Sequence, residues 1–112
     1  MATTIFDETF TKDDNDSALR VLVYATLYSP DDIQFTGYIL LDGIIKQVCP
    51  ANIILVDRQA QIPLTPFAYL TDVAAGQHNI KFVVENTEQD NVVLSIKAGA
   101  TLEVAEIKQG AR

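Results

Sequence analysis

A short acidic cluster near the start of the chain offers the first group of side chains that could do chemistry. Asp13, Asp14, Asn15 and Asp16 follow one another directly. Calcium takes several oxygen ligands, which carboxylates in a loop can supply, but the glycine and the distal glutamate of an EF-hand loop are missing. Runs of like charge are usually solvated. The pattern therefore favours a solvated loop and leaves a cation site over residues 13–16 as the alternative.

The chain contains one histidine, His78, and one cysteine, Cys49. A histidine base must reach a nucleophile, here Cys49 or Ser95, yet neither lies in a motif such as the Gly-x-Ser-x-Gly elbow. One histidine with one cysteine is too few for a metal site, and a single cysteine cannot form an internal disulfide. We therefore predict no enzyme activity, no metal and no cofactor. A small hydrolase that pairs His78 with a carboxylate is the alternative.

Tyrosine and leucine side chains share one face of two alternating segments. Tyr24, Tyr28 and Tyr38 occupy even positions, opposite the main apolar set, together with Leu22 and Leu40. A surface that combines such side chains is typical of a protein interface. Strands that are covered on both faces show the same mixture. We predict a protein interface at the three tyrosines, with a second inner face as the alternative.

Residues 1–17 form a separate feature of the sequence. Ile5, Phe6 and Phe10 are apolar, whereas the rest of the segment is mostly polar and acidic. The segment is either a first strand or an arm that becomes ordered on a neighbouring subunit. The three apolar residues are therefore further candidates for a protein interface, beside a domain that spans residues 18–112.

The elements that must position these residues are predicted to be strands. Apolar and polar residues alternate with a period of two over residues 19–28, 33–41 and 78–86, which a strand produces and a helix does not. Asp42-Gly43 between two apolar runs predicts a tight type I′ hairpin. Prolines in residues 61–71 indicate an edge strand or an irregular segment. Ile107 is out of phase with the residues before it, which suggests a bulge near Ala105.

Roughly nine short strands at about 8–12-residue spacing, with no convincing helix, predict an all-β fold. We expect one domain, an antiparallel β-sandwich that is jelly-roll-like, because the chain has 112 residues and domains are usually that size.

Composition narrows the classes of function further. Hydrophobic residues make up 48% of the chain, which excludes a disordered protein, and no apolar run approaches the ~18 residues of a spanning helix. The first residues do not resemble a secretory signal. The net charge of −7 repels phosphate backbones. We expect a protein made in a reducing cytoplasm, with no nucleic-acid or membrane partner.

Two stretches of the C-terminal half carry a resemblance to a known class. They are LTPFAYL followed by AGQHNIKFVVEN, over residues 64–70 and 75–86, and AGATLEVAEI, over residues 98–107. This half resembles jelly-roll domains of bacteriophage structural proteins, found in tail-fibre and baseplate heads and in capsid decoration proteins, and distantly the TNF/C1q-type jelly roll. The Leu40-Leu41-Asp42-Gly43 hairpin fits the same resemblance, whereas residues 1–17 do not match it.

The resemblance implies a virion context and transfers no catalytic residue. Since no coiled-coil heptads or shaft accompany the domain, we expect a capsid decoration (cementing) protein on the virion surface. Its expected partners are the major capsid protein and further copies of itself, as a dimer or trimer. The alternative is a receptor- or glycan-binding jelly-roll module of a phage tail appendage.

Overall fold

The structure is a computed structural model that describes residues 2–28, 33–48, 53–55, 61–86, 95–96 and 100–108. Every regular element in these ranges is a strand, which confirms the all-β prediction. Nothing in these ranges forms a helix of the length and apolar character needed to cross a membrane. The strands are β1 (Ala2–Lys12), β2 (Ala18–Tyr28), β3 (Ile33–Leu41), β4 (Ile44–Val48), β5 (Ile53–Leu55), β6 (Gln61–Leu64), β7 (Phe67–Leu70), β8 (Gly76–Asn86), β9 (Ser95–Ile96) and β10 (Thr101–Ile107).

The strands form two antiparallel sheets that pack face to face. The first sheet has the order β1-β8-β3-β4, and β5 also pairs with β3. In the second sheet β2 is the central strand, with β10 and β9 along one edge and β6 and β7 along the other. The predicted antiparallel β-sandwich is therefore confirmed.

The period of two determines which side chains lie between the sheets. In β2 the odd residues from Leu19 to Ala25 are buried, and in β8 Ile80, Phe82 and Val84 are buried, as the alternation predicts. Ile39 of β3 lies directly opposite Phe82 and so extends the same inward row. The core residues are Leu19, Val21, Val23, Ala25, Phe35, Ile39, Leu41, Leu64, Ala68, Val73, Ile80, Phe82 and Val84.

The Asp42-Gly43 turn joins β3 to β4 as predicted. Asp42 has φ 52° and Gly43 has φ 83°, so both central residues adopt the positive φ that a type I′ turn requires. Leu41 and Ile44 pair across the turn. Aspartate tolerates this conformation better than most side chains, and glycine adopts it without steric cost.

The edge-strand prediction for residues 61–71 is also correct. The segment contains β6 and β7, and each pairs with β2 alone among the strands that the structure describes. Pro63 lies opposite Thr26 at this edge. An edge tolerates proline because only one side of the strand is needed for hydrogen bonding to the sheet.

The predicted bulge near Ala105 is wrong. β10 pairs with β2 without a shift, from Thr101 opposite Tyr24 to Ile107 opposite Ala18. The apparent phase slip arises because Glu106 occupies an inward position, opposite the buried Leu19, and its carboxylate binds a loop rather than the core. An irregularity does occur between Thr4 and Phe6 of β1.

The inward row of β8 provides a test of this packing. Replacing Ile80, which is fully buried, with alanine should lower the free energy of unfolding by about 2–5 kcal/mol, because the deletion leaves a cavity. Ile44 is 61% exposed, so the same substitution there should change stability by no more than about 0.5 kcal/mol. Urea denaturation of both variants measures the difference, and equal losses at the two sites would contradict the burial.

Candidate protein-binding interface

Four large apolar side chains lie exposed on the outer side of the second sheet, and we call them the apolar face. They are Leu22 and Tyr24 of β2, and Phe67 and Tyr69 of β7. Their exposure runs from 36% for Leu22 to 49% for Tyr24. They point outward because their neighbours in sequence, such as Val21, Val23 and Ala68, fill the core.

Strand pairing brings these four residues together. Leu22 lies directly opposite Phe67, and Arg20 lies directly opposite Tyr69. Partners that lie opposite each other in an antiparallel pair have Cβ atoms about 5 Å apart and point to the same side. The apolar face is therefore one continuous surface across β2 and β7.

Polar residues of β10 border the apolar face. The Arg20 Nη2 atom lies 3.3 Å from the Glu103 Oε1 atom, and both side chains are nearly half exposed. An ion pair this exposed contributes little to stability. A shallow hollow of about 330 Å³ lies beside it, lined by Leu22, Val23, Tyr24, Thr65, Thr101 and Glu103.

Strand β4 adds a second group of exposed apolar side chains. Ile44, Ile45 and Val48 are 61%, 51% and 44% exposed, respectively. β4 belongs to the first sheet but lies beside β7 of the second. The exposed apolar surface of the sandwich therefore reaches from the second sheet to β4, the edge strand of the first sheet.

The three tyrosines that the sequence predicts to share an interface do not lie on one surface of the structure. Tyr24 belongs to the apolar face, whereas Tyr38 lies on the outer side of the first sheet, on the opposite side of the sandwich. The Tyr38 hydroxyl donates a 3.0 Å hydrogen bond to Glu85, and this bond, together with desolvation, raises the pKa of Tyr38. Tyr28 is the last residue of β2, and its side chain lies outside the described part of the chain.

The candidate residues of the N-terminal segment belong to the sheet. Ala2–Lys12, for which the sequence allows an arm or a first strand, form β1 along β8. Phe6 lies opposite Phe82, and Phe10 lies opposite His78. Ile5, Phe6 and Phe10 are partly buried against the core, so much of their apolar surface is already covered.

Sequence reasoning missed Phe67 and Tyr69. The two prolines of residues 61–71 indicate an irregular or edge segment, and they obscure the short alternation in residues 67–70. That alternation was the available signal, since Ala68 is buried while Phe67 and Tyr69 are exposed. A four-residue strand gives too few positions for a period of two to stand out from chance.

Hydrogen bonds from side chains connect the loops at one end of the sandwich, which we call the loop end. It consists of residues 13–17, the Asp42-Gly43 turn and residues 71–75. The Glu106 carboxylate accepts hydrogen bonds from the backbone N–H groups of Asp13 and Asp14, each at 2.9 Å, and from the Ser17 hydroxyl. These donors, the hydroxyl first, hold the pKa of Glu106 below its ordinary 4.5.

The acidic cluster is thus part of a hydrogen-bonded loop. Asp14 Oδ1 accepts the backbone N–H of Asp16 at 3.1 Å, and Asn15 Oδ1 accepts that of Ala75 at 2.7 Å. The buried Lys12 ammonium donates to the Asp14 carbonyl. Across the described ranges, no three His, Cys, Asp or Glu side chains come together as a metal site requires.

His78 lies at the same end, and both of its ring nitrogens have partners. Nδ1 is 2.6 Å from Asp42 Oδ2, and Nε2 is 2.7 Å from the Ala74 carbonyl. Of the two nucleophiles considered from sequence, Cys49 lies outside the described residues. Ser95 pairs with Tyr28, at the end of β2 farthest from the loop end.

Comparisons of the sequence and the structure with known proteins identify no related protein. The chain matches no protein-family model, no curated protein and no solved structure at a significant level.

The Glu106 network predicts a pH dependence of stability. A carboxylate whose pKa is lowered by folding stabilises the fold above the unfolded pKa near 4.5, and this contribution is lost as pH falls through the folded pKa. Glu106→Gln should lower the melting temperature at pH 7, because the NH₂ group of glutamine cannot accept the hydrogen bonds that one of the carboxylate oxygens accepts. The melting temperature of the variant should also change less than that of the wild type between pH 5 and pH 3.

The matched control is Glu103→Gln on the same strand, whose exposed ion pair with Arg20 should matter little. Melting profiles recorded by circular dichroism from pH 3 to 7 compare the two variants. If Glu106→Gln melts like Glu103→Gln at every pH, Glu106 does not hold the loop.

Proposed function

We propose that this chain is a non-enzymatic structural protein of a bacteriophage virion, a jelly-roll-type decoration protein that binds the outside of the assembled capsid. The observation that carries the proposal is the apolar face, in which Leu22, Tyr24, Phe67 and Tyr69 lie together and exposed on a sandwich whose core is already filled. The resemblance of the C-terminal half to phage jelly-roll proteins supports the virion context.

The composition of the apolar face fits a binding surface for a protein. Aromatic side chains bring large contact areas at low entropic cost, and tyrosine in particular is enriched among the residues that dominate interface energies. Tyr24 and Tyr69 provide such side chains, each about half exposed. The Arg20 and Glu103 pair at the border supplies polar groups that a partner can match in orientation.

The arrangement of His78 argues for binding and against hydrolysis. In a catalytic triad the carboxylate holds one ring nitrogen of the histidine and the other nitrogen faces the nucleophile. Here the Asp42 carboxylate holds Nδ1, but Nε2 faces the Ala74 carbonyl at 2.7 Å, which has no proton to give. The imidazole is engaged in tying the loop end together.

A decoration role has a simple physical basis. A shell under internal pressure fails at the junctions between its subunits, and a small oligomer that spans a junction adds contact area on both sides. A protein that binds only the assembled shell stabilises it by mass action. In this proposal the apolar face contacts the major capsid protein, and the chain acts as a dimer or trimer on the virion surface.

A receptor- or glycan-binding module of a tail appendage is the second candidate. The hollow of about 330 Å³ beside Tyr24 favours it, because Thr65, Thr101 and Glu103 bring polar groups next to an aromatic ring. Stacking on an aromatic ring combined with a few polar contacts is a general way to hold a small polar ligand. A glycan array distinguishes the two candidates, since the decoration role predicts no specific glycan.

Two tyrosines provide a matched test of the binding surface. Tyr24→Ala should weaken binding to purified capsids about tenfold or more, because truncating an aromatic residue that dominates an interface typically costs about 2 kcal/mol or more, and about 1.4 kcal/mol is tenfold in affinity. Tyr38→Ala removes the same side chain from the opposite side of the sandwich and should leave affinity unchanged. Co-sedimentation with capsids measures both, once circular dichroism has shown that both variants are folded.

Particles made with and without this chain test the role itself. Particles that lack the chain should release their genome at a lower temperature than complete particles, and added protein should restore the difference. Equal heat resistance, or absence of the chain from purified particles, would overturn the decoration role. A stronger effect of Tyr38→Ala than of Tyr24→Ala would instead move the binding surface to the first sheet.

A further inference from the structure

We propose that His78 is a protonation-controlled latch, which holds the loop of residues 71–75 against the β3–β4 turn when its imidazole is charged and releases that loop when the proton is lost. The proposal concerns regulation of the loop end. It does not depend on the function proposed above.

The latch consists of two short hydrogen bonds from one ring. Nδ1 lies 2.6 Å from Asp42 Oδ2 in the β3–β4 turn, and Nε2 lies 2.7 Å from the carbonyl of Ala74 in the loop between β7 and β8. The His78 side chain is only 15% exposed, so water competes poorly for either nitrogen. One imidazole therefore joins the β3–β4 turn to the β7–β8 loop.

The chemistry of the two partners requires a charged ring. A backbone carbonyl can only accept, so Nε2 must carry a proton. The carboxylate of Asp42 also accepts, since its Oδ1 takes the backbone N–H of Asn79 at 2.8 Å. That N–H and the His78 ring hold the pKa of Asp42 below its ordinary 3.8, so Asp42 is ionised at neutral pH. Both ring nitrogens are donors, and the ring is an imidazolium.

Loss of the proton breaks one bond selectively. A neutral imidazole has a single N–H, which stays with the Asp42 carboxylate because a hydrogen bond to a charged acceptor is the stronger of the two. Nε2 then presents a lone pair to the Ala74 carbonyl, and two acceptors repel each other. Deprotonation therefore releases the loop of residues 71–75 and leaves the β3–β4 turn in place.

The charged groups around the ring set the pH at which this happens. Asp42 from the turn and the Ala74 carbonyl raise the pKa of His78 above its ordinary 6.5, while burial of the ring and, to a smaller extent, Lys12 of β1 lower it. The positive charge of Lys46 in β4 helps to lower the pKa of Asp42. The aromatic ring of Phe10 packs beside that of His78, with the two centroids 5.9 Å apart. The loop itself carries one acidic residue, Asp72.

The release begins at the Ala74 carbonyl, and the loop keeps two other anchors that limit how far it moves. Asn15 Oδ1 accepts the backbone N–H of Ala75, which neighbours Ala74, and Val73 is buried in the core. Neither contact involves a group that titrates near neutral pH. A histidine whose pKa is raised by folding stabilises the structure fully below pH 6.5, and this contribution disappears as pH rises through the higher folded pKa.

Nuclear magnetic resonance of the ¹⁵N-labelled intact chain tests the latch without any substitution. The His78 ring nitrogens should titrate with a pKa above 6.5, and the neutral ring at high pH should carry its proton on Nδ1. Amide exchange of residues 73–75, corrected for the intrinsic effect of pH, should accelerate as the ring deprotonates. A pKa at or below 6.5, or a neutral ring protonated on Nε2, would overturn the proposal.

Two variants separate the latch from general unfolding. In His78→Gln, residues 73–75 should exchange at one corrected rate from pH 5 to 9, without the step. In Asp42→Asn the pKa of His78 should fall below its wild-type value, and the exchange step should move to lower pH with it. A step of unchanged size and midpoint in either folded variant would show that another group controls the loop.

Discussion

The whole structure depends on one steric fact, that successive side chains of a strand point to opposite sides. In β2 this fact assigns Val21 and Val23 to the interior and Leu22 and Tyr24 to the exterior. β2 is the central strand of its sheet, so its inward row must pack against rows from β3 and β8. Once that core is filled, none of the described strands covers the outward row, and its apolar members remain exposed.

The ends of the strands impose a second requirement, which is to satisfy backbone groups where the sheets stop. The loop end meets it with side chains from distant parts of the chain. Glu106 of β10 accepts from the residues that follow β1, and Asp42 accepts from Asn79 of β8. His78 completes the arrangement by donating to two acceptors at once. The polar residues that look most like a catalytic or metal site in the sequence are therefore used to close the sandwich.

The two requirements also explain what could be predicted from sequence. The alternation in β2, β3 and β8 extends over nine to eleven residues, so the inward rows and the sandwich followed from it. The Asp42-Gly43 turn was predictable because few residue pairs adopt positive φ at both positions.

Properties that depend on long-range pairing were not predictable. The sequence could not reveal that Tyr24 and Tyr38 lie on opposite sides of the sandwich, because this depends on which sheet each strand joins. It also could not place Phe67 beside Leu22, 45 positions earlier in the chain. The apparent phase slip at Ile107 has its explanation in another long-range contact, because the inward Glu106 binds the N–H groups of residues 13 and 14.

Our central proposal is that this chain binds other proteins through the apolar face. Side-chain footprinting with hydroxyl radicals tests it most directly. The chain is oxidised free in solution and bound to purified phage capsids, and modification is read residue by residue. The account predicts that Tyr24, Phe67 and Tyr69 lose most of their reactivity on the capsid while Tyr38 keeps its own. Equal oxidation of the apolar face in the free and capsid-bound chain would contradict it.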